Sequence, residues 1–376
     1  MIHVAVDANC LAWGWGGIPK VVDRIVRELV RADGVRVDLL ANTSRPFSEL
    51  DGAGHVFRRV KGTGLWRETV VARWVAANRP SVYWAPEGVL PRRLGGTPSV
   101  VTLHDLAVLF LPGIKPLRQR LAYWRAVPRS ARSATRVVAV SEATAADAER
   151  LLGVTRDRLR VVPNGVDEAF RPGDRDAARE AVRERFGVDR PFVLAVGALE
   201  PRKGLDVLLE LAEAAPARGL DWIVVLAGAP GYRSEPLVER ARAAVACRLL
   251  GPVAEDDLPQ LYRAAETLVA PSLHEGFGLT PLEAMACGTP AVVAGGSGGL
   301  VEVSGDAAIV VEERSAEAWI AAVEGARRER ERLGEAGSRH ASRYRWPAVA
   351  EAMLSVFEEA ASAQSRGRWR KRTTPA

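Results

Sequence analysis

Cysteine is scarce: Cys10, Cys247 and Cys287 are the only three in a chain of 376 residues. They are odd in number, widely spaced, and form no CxxC pair or cysteine–histidine pattern. That excludes a disulfide framework and a structural zinc, and it fits a reducing, cytoplasmic setting. Long hydrophobic runs are also lacking. The longest, such as LAVLFLPGI at 106–114, reach about half of the ~20 residues a spanning helix needs. The N-terminal MIHVAVDANCL has no basic leader ahead of a long apolar segment. Neither a membrane span nor a signal peptide is therefore expected. There is no repeat with a period of roughly 20 to 50 residues and no low-complexity segment beyond the tail. No glycine cluster completes a GxGxxG-plus-acid pattern, which makes a nicotinamide-dinucleotide reading weak. No strand end carries a DXD-like pair that would hold a divalent ion, so no metal or other cofactor is expected.

What is present is the composition of a soluble globular protein, with 48% hydrophobic and 26% charged residues, in a length that fits two domains of about 180 residues each. Charge is uneven. Residues 1–190 hold 31 Lys and Arg against 21 Asp and Glu, and the remainder holds 21 against 25. Within 114–136, IKPLRQRLAYWRAVPRSARSATR, there are seven basic residues and no acidic one. The final SRGRWRKRTTPA is basic again.

Short β-branched runs alternate with helical patterns along almost the whole chain. HVAVD, VRVDLLA, SVYWA, SVVTLHD, RVVAVS and LRVVPN form one series, and PFVLAVG, WIVVLAG, CRLLGPV, TLVAPS, PAVVAG and AAIVV a second. Helical stretches such as 19–32, 141–152, 205–216, 256–265 and 315–333 lie between them. Near-continuous apolar strands separated by amphipathic helices imply parallel sheets covered on both faces. Two series imply two Rossmann-like domains, 1–170 and 186–345, with the break at the Pro-, Gly- and Asp-rich PNGVDEAFRPGDRDAARE. A C-terminal helix at 346–361 is a candidate to pack back on the first domain, and 363–376 is expected to be a basic disordered tail.

In doubly wound sheets ligands bind beyond the carboxyl ends of the strands. The unusual residues collect there: His104-Asp105 after SVVTL, Gly197 after PFVLAV, Gly228 after WIVVLA, and Ser272 to Gly278 after TLVAP. Two domains facing each other across a cleft would bring these ends together. In GALEPRKGLD, 197–206, adjacent Arg202 and Lys203 suit a doubly charged phosphate, since arginine offers a planar fork and lysine a point charge. The alternative is a pair of solvated surface cations. In HEGFGLTPLEAM, Gly276 and Gly278 precede a helix start, where free amides and the helix dipole favour an anion. Glu283 has two readings. With Thr280 as N-cap and Pro281 in the first position it completes a capping box; alternatively it points away to hold a hydroxyl. Glu275 lies outside the helix and is a candidate partner for sugar hydroxyls. His104 ends a strong strand, and Gly16, Gly17 and Lys20 open an amphipathic helix that could approach a phosphate.

In order, the segments GGIPKVVDRIVREL, VTLHDL, VAVSEAT, VVPNGVD, VGALEPRKGLD, LLGPVAEDDLPQLYRAA, PSLHEGFGLTPLEAMACGTPAVVA and LVEVSGDAAIVV resemble the retaining, nucleotide-sugar-dependent glycosyltransferases of family 4. The resemblance runs nearly end to end, and it implies the α/β GT-B fold. It also implies that Glu283 binds ribose hydroxyls and that Glu275 touches hydroxyls of the transferred sugar. The backbone amides of Phe277, Gly278 and Leu279 would face the donor's diphosphate and sugar, with Gly197 beside them. Arg202 and Lys203 would neutralise the diphosphate as it leaves, and Gly17 would close on it from the N-terminal domain. His104 resembles the family's histidine beside the reacting sugar, and the segment around Val253 would hold the base through its backbone. The chain departs from the pattern at Ala198, where many relatives carry arginine, at Thr280, where proline is usual, and at Val301. GALEPRK resembles a subgroup rich in mannosyl- and rhamnosyltransferases of surface polysaccharides.

The implied reaction is transfer of a hexose, mannose as first choice, from a nucleoside diphosphate sugar to a hydroxyl of a glycan or lipid-linked acceptor, with anomeric configuration retained. Rival readings are another GT-B enzyme, such as a sugar phosphorylase or nucleotide-sugar epimerase, and a non-catalytic sugar-nucleotide binder. The basic stretch 114–136 is read either as a solvated helix face or as a contact for an anionic membrane surface, with Leu121, Tyr123 and Trp124 beside Arg118, Arg125 and Arg129. The second reading would place a cytoplasmic protein peripherally on the membrane. No nucleic-acid reader module is recognised, so no nucleic-acid partner is expected.

Overall fold

The computed structural model describes residues 1–13, 16–42, 56–59 and 65–372. The chain divides into two compact units: Met1–Leu109 with Leu117–Gly165 and Arg345–Ala376, and Phe110–Pro116 with Val166–Tyr344.

The first unit is built on a seven-stranded sheet of β1 (Ile2–Asp7), β2 (Val35–Ala41), β3 (Val56–Arg59), β4 (Val82–Ala85), β5 (Ser99–Leu103), β6 (Arg136–Ala139) and β7 (Leu159–Val161). Their order is β3-β2-β1-β4-β5-β6-β7, and every pairing is parallel. β4 and β5 are buried at every position. That requires cover on both faces and explains why these segments read as continuous apolar runs rather than alternating ones. Helix Gly17–Arg31 supplies part of the cover, burying Pro19, Val21, Val22, Ile25, Val26 and Leu29 along one stripe. It packs on the C-terminal helix Trp346–Arg372, which also reaches β4 and β5. Phe357 of that helix meets Trp84 of β4 with ring centroids 5.6 Å apart, both rings fully buried. Burial of each such side chain stabilises the fold by roughly 2–3 kcal/mol.

The second unit has a six-stranded sheet of β8 (Phe192–Val196), β9 (Ile223–Ala227), β10 (Cys247–Gly251), β11 (Thr267–Ala270), β12 (Ala291–Ala294) and β13 (Ile309–Val311). It is again wholly parallel, in the order β10-β9-β8-β11-β12-β13. In each sheet the direction of winding reverses once, between β1 and β4 in the first and between β8 and β11 in the second. Crevices at such reversals are where doubly wound sheets take ligands.

Three local expectations change. β3 was not foreseen, because VFRR at 56–59 is short and half charged. The stretch expected as one helix over 315–333 is two, Ala316–Arg328 and Arg330–Ala341, parted at Glu329, whose φ −101 and ψ 21 leave the helical region. The C-terminal helix runs to Arg372 instead of ending at 361. Its last residues are mostly good helix formers with a single glycine and no proline, so nothing in them stops the helix. Residues 373–376 lie outside the described residues.

Candidate active site

The reversal in the second sheet gathers most of the expected residues. β8 ends at Val196, and the chain continues through Gly197 into a short turn, Pro201–Lys203, and then helix Leu205–Ala214. Gly204 joins turn to helix with φ 68, and a Cβ there would lie 2.0 Å from the Pro271 carbonyl oxygen. Only glycine suits both the left-handed conformation and the contact. Pro271 directly follows β11, so this packing holds the Arg202-Lys203 turn against the end of β11. The Leu273 amide donates to the Arg202 carbonyl at 2.9 Å and ties the two segments together.

Arg202, Lys203 and Glu275 converge there. Lys203 Nζ lies 2.5 Å from Glu275 Oε1, and Arg202 Nη1 lies 3.4 Å from Glu275 Oε2. Ser272 donates its hydroxyl to Glu275 Oε1 at 2.9 Å. The Glu275 amide donates to the Ser297 hydroxyl at 2.8 Å, so both ends of the residue are held. Arg202 Nε also donates to Glu200 Oε2 at 3.0 Å. Burial alone would push the Glu275 carboxyl up, yet Lys203 and Arg202 outweigh it and hold the group down at about 2. Two cations and two carboxylates thus form one chain, Glu200–Arg202–Glu275–Lys203. The sequence reading assigns phosphate to the cations and sugar to Glu275; the structure pairs them with each other.

Beyond Glu275 the backbone bends through Gly276, Phe277 and Gly278 into helix Leu279–Ala286. The capping-box reading fails here. The N-cap is Gly278, at φ 124, and no side-chain cap hydrogen bond forms. Because the bend ends at this glycine, Thr280 and Pro281 fall inside the first turn, and Glu283 lies beyond it. Glu283 is 4% exposed and its Oε2 accepts the Tyr262 hydroxyl at 2.8 Å. Burial and the neighbouring Glu283 charge raise the Tyr262 phenol well above its ordinary value, so it stays a donor. Phe277 is buried and meets the Tyr344 ring edge-on at 5.9 Å, which anchors the bend. Leu279 opens the helix half-exposed, and Val253 is half-buried just past β10. The Gly197 amide donates to the Ala227 carbonyl at 2.9 Å, and its Cα side faces the Lys203 chain, 3.8 Å from a Cβ placed there.

His104 and Gly17 belong to the first unit. His104 follows β5, and its Nε2 lies 3.0 Å from the Pro86 carbonyl oxygen. A carbonyl only accepts, so Nε2 carries the proton and Nδ1 is left as the acceptor of the neutral ring. Burial lowers its pKa to about 4, which keeps the ring neutral at physiological pH. Gly17 is exposed at the first position of its helix.

Several residues here were not singled out from sequence. Glu200, Tyr262 and Ser297 hold the assigned residues together with Ser272, which lies in the stretch after β11 already named; Glu200, two positions before Arg202, lay close enough to be suspected, and Tyr262 and Ser297 did not. At the first sheet's reversal a second buried group was missed. Arg67 donates to Asp7 at 2.5 Å and to Glu87 at 2.7 Å, and the Tyr83 hydroxyl donates to Asp7 at 3.2 Å.

Residues 15–170 match the family Glycosyltransferase Family 4, and residues 176–340 match Glycosyl transferases group 1. The chain is 31% identical to the D-inositol 3-phosphate glycosyltransferase of Salinispora arenicola, over 93% of this chain and 88% of that protein. It is 32% identical to the O-antigen chain mannosyltransferase B of Escherichia coli, over 63% and 62% of the two chains. Its fold is similar to that of HepE from Anabaena, solved with UDP and glucose, with a TM-score of 0.73 at 19% identity over 95% and 99% of the two chains.

Proposed function

The chain belongs to glycosyltransferase family 4, and from that premise we propose that it moves a hexose, mannose first, from a nucleoside diphosphate sugar to a hydroxyl of a glycan or lipid-linked acceptor, with retention. The observation that carries this reading is the convergence of Arg202 and Lys203 at the second sheet's reversal, beside the Gly278 helix start. As the donor's glycosidic bond breaks, negative charge builds on the β-phosphate. Two cations and the amides of Phe277, Gly278 and Leu279 stabilise that charge without a metal ion. Glu283, oriented by Tyr262, takes the ribose hydroxyls, and the segment at Val253 takes the base. Glu275 turns to the sugar hydroxyls. For His104, whose neutral ring leaves Nδ1 as an acceptor, and for Gly17, the roles are those the family resemblance implies, toward the sugar and the diphosphate respectively. Attack comes from the face the diphosphate leaves, and the leaving phosphate accepts the acceptor's proton.

Support for the donor class comes from HepE, whose structure holds UDP and glucose. Support for mannose comes from the O-antigen mannosyltransferase, and the inositol-phosphate relative supports a polyol hydroxyl as acceptor. Among the described residues no helix is long and apolar enough to cross a membrane. Helix Leu117–Ser133 exposes Leu117, Leu121 and Trp124 with Arg118 and Arg125. We assign this face to an anionic membrane surface, where a lipid-linked acceptor would be met. Tyr123 and Arg129, included in the sequence reading, turn inward: Tyr123 donates to the Asp105 carbonyl and Arg129 to the Leu90 carbonyl.

Thermal-shift titration with GDP-mannose, UDP-glucose and dTDP-rhamnose, with and without EDTA, tests the proposal. One donor should raise the melting temperature saturably, with equal effect in EDTA. No shift from any nucleotide sugar would contradict it.

A further inference from the structure

The donor cations are already balanced by carboxylates, and one of those carboxylates has no evident part in holding sugar or nucleotide. Arg202 lies between Glu200, at 3.0 Å, and Glu275, at 3.4 Å, while Lys203 lies on Glu275 at 2.5 Å. All four side chains are only about one-fifth exposed or less, so solvent screens their mutual interaction weakly. Glu200 is fixed by its surroundings: a Cβ on Gly231 would come within 2.4 Å of Glu200 Cγ, so the carboxylate lies against the backbone of a neighbouring loop. Its only described side-chain partner is Arg202.

We propose that Glu200 and Glu275 are counter-charges that keep the site from binding the nucleoside diphosphate product too tightly. This rests on the reading that Arg202 and Lys203 hold the diphosphate. A cation pair without carboxylates would bind diphosphate whether or not a sugar remained attached, and that kind of uniform binding adds nothing to turnover once the donor is bound. With Glu200 and Glu275 in the same contact shell, the arriving diphosphate must compete with negative charge already seated on the cations. After transfer the product carries more charge than the donor did, and it is repelled more strongly. Glu200 therefore acts through Arg202 as a positioning residue that sets its effective charge.

The competing role for Glu200 is that of a strut, which merely keeps Arg202 extended. The two roles predict opposite signs. Calorimetric titration of UDP and GDP into wild type, Glu200→Gln, Glu275→Gln and Lys203→Ala, with melting temperatures recorded for each, separates them. The counter-charge account expects the better-bound diphosphate to bind each folded glutamine variant at least tenfold more tightly, with stronger product inhibition. Its gain should exceed that of the matching monophosphate. Unchanged or weaker diphosphate affinity in a folded variant of either kind overturns the proposal. Lys203→Ala reports on the underlying reading separately. If it leaves diphosphate affinity unchanged, the donor site is misassigned; if it weakens binding while the glutamine variants show no gain, only the counter-charge account fails.

Discussion

Replacing Glu275 by glutamine removes a charge while keeping the side chain's shape, and its effect on stability should depend on pH in a direction the structure fixes. Burial alone would raise this carboxyl above its ordinary 4.5, but Lys203 and Arg202 hold it at about 2. A carboxylate whose folded-state pKa lies below its unfolded value stabilises the fold above the unfolded pKa. It loses that contribution as pH falls through the folded one. A gap of about 2.5 units corresponds to about 3 kcal/mol at neutral pH. Roughly 2 kcal/mol of this should be gone near pH 3. The variant also leaves Lys203 without its carboxylate, and comparing the slopes rather than the absolute stabilities sets that loss aside. The slope therefore isolates the Glu275 charge. Urea unfolding of both donor-free proteins in a series from about pH 7 to about pH 3 measures it, with the linear extrapolation giving stability at each pH. Wild type should lose about 2 kcal/mol more than the variant over that span. Parallel curves, or a steeper fall in the variant, would refute the ion-pair argument.

Three further outcomes follow from the same geometry. Lys203→Ala or Arg202→Ala should lower turnover by about 10²–10³ with the fold retained by circular dichroism; near-normal turnover in both removes them from the reaction. Gly204→Ala places a methyl 2.0 Å from the Pro271 oxygen at φ 68. It should cost at least about 3 kcal/mol in urea unfolding, and a change under about 0.5 kcal/mol would mean the turn does not pack as described. In vesicle sedimentation the protein should bind acidic vesicles and not neutral ones, and Arg118→Glu with Arg125→Glu should abolish the difference. Equal binding to both vesicle types excludes the electrostatic contact.

The parallel α/β architecture was legible because its strands are buried on both faces, and a run such as FVLAV at 192–196 has no other common explanation. β3 was not, since VFRR carries no apolar signal and takes its place only by pairing with β2. At the site, Arg202, Lys203 and Glu275 could be found because charge at a strand end is unusual. That they would bond one another was not readable: the sequence separates Lys203 from Glu275 by the whole course of β9 and β10, and it is the reversal of winding that sets β8 beside β11. Tyr262 and Ser297 were missed for the same reason, since a hydroxyl carries no sequence signal until the fold delivers it to a carboxylate. The capping box was legible and wrong. Thr280, Pro281 and Glu283 have the right spacing, but the glycine at 278 starts the helix earlier than the pattern implies.

The proposed reaction requires Arg202 and Lys203 to grip the donor's diphosphate. A crystal structure with bound GDP or UDP tests it most directly. Diphosphate oxygens should lie within hydrogen-bonding distance of Lys203 Nζ and the Arg202 guanidinium, with the ribose at Glu283. A nucleotide bound away from the ends of β8 and β11, or one whose diphosphate touches neither cation, would contradict it.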